Sequence, residues 1–256
     1  MMNIIRADFY RLLRGKVIYA LFGILAVASA VLMIVHGMGG SNEYYEVSTR
    51  MSNFEMLSFM TVFVIICTLP IFTSVAGPIF MDGTAKNEVS WGVSRAKLYL
   101  ARVVVCAVLC VLLLATFYGV GIATTIPFCG FGDGTASFWI NFLLTFVSQS
   151  FMMTAACMLG IFLVFSMKNV VAVVEVFMFI FFLPTLIYQF LPMIADIDMG
   201  GLMRILYFDL TTNMARMGDI GGIETRSLLI IIAVSVAWFV IPTIIGIMKF
   251  QRKEVK

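Results

Sequence analysis

Residues 98–126 read LYLARVVVCAVLCVLLLATFYGVGIATTI, and from Val103 to Ile126 they carry no charge. At about 1.5 Å per residue a helix over this run is long enough to cross a hydrocarbon core of about 30 Å. The apolar residues are continuous rather than alternating with period two. Only helices and closed barrels satisfy every backbone group in lipid, so the run reads as a spanning helix and a barrel is excluded.

Working outward, comparable blocks lie at residues 17–36, 57–80, 138–166, 170–193 and 227–249, each bounded by Gly, Pro, Asn or charge. Composition agrees: the 256 residues are 62% apolar and 12% charged, with mean hydropathy +1.05. A soluble domain runs nearer roughly 45–50% apolar and about 25% charged. The expected fold is therefore all-α, a polytopic membrane protein of six transmembrane helices forming one domain over 1–256. Little chain remains for a soluble catalytic or nucleic-acid-binding module, and a net charge of +3 asks for no polyanionic partner.

Basic residues near span ends stay on the cytoplasmic side. One side collects Arg6, Arg11, Arg14, Lys16, Lys86, Arg95, Lys97, Arg102, Lys168, Lys249, Arg252, Lys253 and Lys256. The other has Arg50, Arg204, Arg216 and Arg226 against nine acids: Glu43, Glu46, Glu55, Asp133, Asp196, Asp198, Asp209, Asp219 and Glu224. Both termini are expected in the cytoplasm. The basic start does not read as a secretory signal, because the run from Val17 to Val35 is too long and lacks a small-residue cleavage site. In residues 1–16, Ile5, Phe9, Leu12 and Leu13 recur at helical spacing with Arg6, Arg11 and Arg14 off that row, which predicts an amphipathic helix in the cytoplasmic interface.

Familiar catalytic and metal chemistry is missing. His36 is the single histidine, so a two-histidine zinc helix is ruled out, and because it sits at the outer end of the first block no serine has a plausible Ser-His-Asp set. No Gly-x-x-x-x-Gly-Lys-Ser/Thr loop is present, so this chain does not bind ATP through a P-loop of its own. Asp82-Gly83-Thr84-Ala85-Lys86 opens like a lipid-headgroup phosphotransferase signature but has no further aspartates behind it. Of Cys67, Cys106, Cys110, Cys129 and Cys157, four fall inside spans, so no disulfide framework follows. Cys106 and Cys110 share a helical face at a spacing that suits a metal, yet without a nearby His or carboxylate they read as small buried hydrophobes. No cofactor and no metal are expected in this chain.

Between the second and third blocks, residues 81–97 form a loop expected in the cytoplasm. Asp82 or Thr84 can cap a short helix, Gly92 can end it, and Ser94 can cap the helix that follows. Val89 and Trp91 beside Lys86 and Glu88 make a small mixed patch. It suits either a partner's groove or a plain turn with Trp91 anchored in the interface.

The run Phe80-x-Asp82-Gly83-Thr84-x-Lys86-Asn87-x-x-Ser90-x-Gly92-x-Ser94-Arg95-x-x-x-Tyr99-x-x-Arg102 resembles the coupling loop of bacterial ABC-2 type permeases, the membrane subunits of type V-like ABC exporters. Ala85 and Glu88 stand where apolar residues are more usual, and Arg102 replaces a common Lys. The order of a basic amphipathic start, six spans, this loop after the second span, and an outer re-entrant or interfacial helix before the last also resembles the family. The resemblance implies two ATP-binding subunits carrying ATP and Mg, a second permease, usually in a homodimer, and membrane lipid as surroundings. It implies that Asp82, Gly83, Thr84, Lys86, Asn87, Val89, Trp91 and Arg95 couple the ATPase to the spans. It makes this chain no enzyme by itself. The expected function is export of a hydrophobic or amphipathic molecule such as an antimicrobial peptide, lipid or drug from the bacterial cytoplasm.

The resemblance also makes the second and fifth spans the substrate pathway. Thr61 and Thr68 lie in the second, which Pro70 and Pro78 can kink. In the fifth, Glu175 lies about 9 Å along the helix from Asn169. An ionised carboxylate at mid-bilayer costs about 2.5–3.5 kcal/mol on insertion scales, so Glu175 either grips a substrate or ion, or snorkels to a cytoplasmic base. A gradient-driven transporter using Glu175 is the alternative function. Phe177, Phe181 and Tyr188 form an aromatic stripe that serves packing or a sliding surface. In the fourth span Asn141, Thr145, Ser148, Gln149 and Met152 share a stripe that favours bonds between helices over substrate contact. Outside, in residues 195–226, Leu202, Met203, Leu206, Leu210, Met214 and Met217 step by three and four, as in a short amphipathic helix.

Overall fold

The computed structural model describes residues 2–39, 64–81, 93–129, 136–167, 169–194, 209–216 and 225–252. These form helices α1 (Met2–Arg14), α2 (Lys16–Gly39), α3 (Thr68–Met81), α4 (Arg95–Cys129), α5 (Ala136–Met167), α6 (Val170–Ile194), α7 (Leu210–Arg216) and α8 (Thr225–Arg252), with a 3-10 turn at Ile65–Cys67 leading into α3. No strand occurs among the described residues. Among the described residues four helices are long and apolar enough to cross a membrane, over Lys16–Val35, Arg95–Pro127, Phe142–Met167 and Leu229–Gln251. Two shorter apolar helices, Ile65–Pro78 and Val170–Pro184, fall within the remaining predicted blocks. The chain is thus all-helical with membrane-embedded character.

Local chemistry sets the element ends. Gly15 breaks the chain between α1 and α2, its N–H donating to the carbonyls of Arg11 and Leu12. The Asn169 side-chain oxygen accepts the Val171 N–H at 3.0 Å and caps α6, and Asp209 Oδ2 accepts the Thr212 N–H at 2.9 Å and caps α7. Ser94 precedes α4, its carbonyl taking the Leu98 N–H.

Helix α5 is the centre of the bundle and packs on α3, α4, α6, α7 and α8. Every residue from Met152 to Ile161 is buried, as expected of a helix surrounded on all sides. Ala155, Ala156, Cys157 and Gly160 are small, which lets neighbouring backbones come close. At Gly160 the approach is tightest: a Cβ there would sit 2.3 Å from the Phe72 ring on α3. By contrast α2 buries one stripe, Ile18, Leu25, Ser29 and Met33, mainly against α4, and leaves Ile24, Val27, Val31 and Val35 exposed. Ser29 donates to the Phe117 carbonyl at 2.8 Å across that seam.

The predicted amphipathic start is helical, and most of its apolar row packs on the bundle. Leu12 is buried, Ile5 and Phe9 pack on the core, and Leu13 faces out. Asp8 lies on the same side and pairs with Arg102 of α4.

Candidate functional site

The helices that flank the loop at 82–92 converge at one end of the bundle. That end holds α1, the C-terminal part of α3, the start of α4 and the last turns of α5 and α8. Tyr99 meets Phe165 at 5.0 Å between ring centroids, and Phe165 meets Phe250 at 4.7 Å. Gly246 gives Tyr99 its place, since a Cβ at Gly246 would lie 2.3 Å from the Tyr99 hydroxyl. Arg95 donates from Nη1 to the Gln251 carbonyl at 2.9 Å, tying the start of α4 to the end of α8. Arg6, Arg14, Lys16, Lys97 and Lys249 are exposed on these same segments, so this is the basic end of the molecule.

At its centre lies a buried ion network. Arg102 Nε stands 3.1 Å from Asp8 Oδ2, with Arg102 fully buried and Asp8 nearly so. Arg11 Nη2 lies 3.4 Å from Asp8 Oδ1 and donates to the Val75 carbonyl on α3 at 3.1 Å. One acid on α1 therefore joins the helix entering the loop to the helix leaving it. Pro78 cannot give an N–H to the Ser74 carbonyl, which loosens the same turn of α3. Sequence reasoning missed Asp8 and counted Arg102 as a loop base. A signal was present, since an arginine inside an apolar run and a lone acid inside a basic helix each call for a partner.

Of the residues expected to couple to an ATPase, Arg95 is placed by its bond to Gln251, while Asp82, Gly83, Thr84, Lys86, Asn87, Val89 and Trp91 lie outside the described residues. Of those expected on a substrate pathway, Thr61 also lies outside them. Thr68 is buried and spends its hydroxyl on the Ile65 carbonyl at 2.6 Å. Phe177 and Phe181 are buried in a ring chain that runs from Phe72 through Phe177 and Phe181 to Trp238, with centroids 5.0, 4.6 and 6.1 Å apart. Tyr188 is on α6, its side chain outside the described residues. Glu175 is different: it is exposed on an outward stripe of α6, between Val171 and Phe179, which are 65% and 63% exposed.

The opposite end carries a neutral hydrogen-bond network. Tyr118 donates its hydroxyl to Gln149 Oε1 at 2.5 Å, and Gln149 Nε2 donates to the Met214 carbonyl at 3.2 Å, which pins α7 onto α5. Tyr118 is ringed edge-on by Phe117, Phe142 and Phe146. Leu210 and Met214, two of the residues expected on an outer amphipathic helix, are buried. Leu202, Met203, Leu206 and Met217 are outside the described residues. In the predicted polar stripe of α5, Thr145, Gln149 and Met152 are buried, and Gln149 bonds across helices. The side chain of Asn141 is outside the described residues.

Near mid-bundle Cys157 on α5 lies within hydrogen-bonding reach of both Cys106 and Cys110 on α4. All three thiols are free and buried, and no group of three metal-ligating side chains is formed among the described residues.

Fold and site together define a helical, membrane-embedded protein with a buried ionic network at one end and a neutral hydrogen-bond network at the other. Over residues 16–256 the chain matches the model of the family described as "Protein of unknown function (DUF2705)", and it belongs to that family. No match was found among curated proteins.

Proposed function

We propose that this chain is the membrane-spanning permease subunit of an ATP-driven ABC exporter, working with two copies of a separate ATP-binding subunit and a second permease, in the plasma membrane of a bacterium. The observation that carries the reading is the convergence at the basic end. The helices bracketing a segment that resembles a coupling loop are tied together there by Asp8, Arg11 and Arg102. A push on that segment is delivered to α3 and α4 together. Basic residues gather where the positive-inside rule puts the cytoplasm, the side on which an ATP-binding subunit would dock. For work to reach the spans, ATP-bound and ATP-free partners must prefer different arrangements of the loop.

Glu175 supports the second permease. Charged side chains of membrane helices face protein or water, and Glu175 faces outward from its own chain, so a second copy or a water-filled path belongs against that face of α6. The same exposure favours one other reading, a transporter driven by an ion gradient with Glu175 as the ion-binding group.

Co-expression with the ATP-binding protein encoded beside it, followed by purification through a tag on this chain alone, separates the two. Export predicts stoichiometric recovery of an active ATPase that is lost on Lys86→Ala with Trp91→Ala. A chain that purifies alone and carries gradient-driven flux abolished by Glu175→Gln overturns the exporter.

A further inference from the structure

The orientation of α1 leaves its other face to be accounted for. Asp8 is the only acid of the helix and is buried against Arg102 and Arg11. With Asp8 buried, the exposed residues of α1 include no acid: the cations Arg6 and Arg14 stand among Asn3, Ala7 and the large side chains Met2, Tyr10 and Leu13, which are 64%, 59% and 55% exposed. The Arg14 guanidinium lies over the Tyr10 ring, 4.7 Å from its centroid, so its planar fork is held over an apolar base. Beyond Gly15 comes exposed Lys16, and then the exposed apolar residues of α2 begin at Val17. The basic face is therefore continuous with a surface whose surroundings in a membrane are acyl chains, and it sits at the level where that surface ends.

We propose that the outward face of α1 binds anionic phospholipid, with Arg6, Arg14 and Lys16 holding headgroup phosphates while Tyr10 and Leu13 enter the acyl boundary. Charge complementarity selects the occupant. Arginine meets phosphate through two parallel N–H donors, and no exposed acid on α1 competes. Its buried apolar row seats the helix on α4, so lipid sets occupancy of the outer face rather than whether the helix forms. The inference needs only that the chain is embedded in a membrane, and it stands whether or not the exporter reading holds.

The test uses the full-length protein in nanodiscs of phosphatidylcholine with a minority of phosphatidylglycerol, followed by native mass spectrometry of the lipids retained. Wild type keeps phosphatidylglycerol in preference. Arg6→Gln with Arg14→Gln lowers that preference roughly thirtyfold, about a factor of five for each charge at an anionic surface, and Arg6→Lys with Arg14→Lys keeps most of it. An environment-sensitive fluorophore on Leu13→Cys, with Cys67 and Cys129 changed to Ala, reads an apolar boundary in the mixed discs. Equal preference in the Gln variant, no preference in wild type, or a water-exposed fluorophore overturns the proposal. The last result would give the face to a soluble protein partner.

Discussion

At one end of the bundle a buried carboxylate and two arginines join α1, α3 and α4. At the other a tyrosine, a glutamine and a backbone carbonyl join α4, α5 and α7. Both are buried polar networks linking three helices, yet they break differently. In the ionic one, losing a partner strands a charge whose desolvation is no longer repaid. In the neutral one, a stranded group is a dipole, and the loss is smaller. The ionic network ties the helices α3 and α4 that flank residues 82–92, and the neutral one ties in the short helix α7.

The sharpest way to break the contrast is Arg102→Met, which takes from Asp8 its fully buried partner and leaves it only the half-exposed Arg11 of this network. It should cost about 3–5 kcal/mol in denaturant unfolding of the reconstituted protein. The matched double change, Asp8→Leu with Arg102→Met, should return most of that stability. If single and double variants are equally unstable, the pair is not an isolated network. Next in size is Gly160→Ala in α5, between the two ends, which drives a Cβ into the Phe72 ring and should cost about 1–3 kcal/mol. Thermal unfolding in detergent reads this directly. At the neutral end Gln149→Leu leaves the Tyr118 hydroxyl and Met214 carbonyl without their partner and should cost about 1–2 kcal/mol. Hydrogen exchange should quicken in α7 but not in α1. The smallest effect is Ser29→Ala, expected near 0.6 kcal/mol in the same assay, about the mean for a hydrogen bond between membrane helices.

Much of the fold was readable from hydrophobic run length, because in lipid the backbone admits so few solutions. α2, α4, α5 and α8 fall on their predicted blocks, and Leu210 with Met214 marked the helix at 210–216. The stripe containing Gln149 was readable as glue between helices, since a glutamine in lipid has few other uses. What stayed hidden depends on tertiary pairing. Ile5, Phe9 and Leu12 announce an apolar face but cannot say whether lipid or α4 covers it. In the fold the core covers it, and Arg102, far along the chain, meets Asp8 on that same side. Gly160 is an unremarkable residue until Phe72 is seen against it. Phe177 and Phe181 have the same spacing in a core as they would on a sliding surface, and only their ring partners show that they pack.

The Asp8–Arg102 pair also sets an order of events in the making of the protein. Arg102 lies about 10 Å into α4 from Arg95, where a lone arginine weakens insertion. Its counter-charge has already been synthesised. At roughly 5–20 residues per second, Asp8 leaves the ribosome on the order of ten seconds before Arg102 does. During that interval α1 must wait with its acid still in water. The newborn N-terminal helix then acts as a receptor for the third block to arrive, and a chain that loses its first dozen residues should stall with α4 half-seated rather than fold into a slightly smaller version of the same bundle.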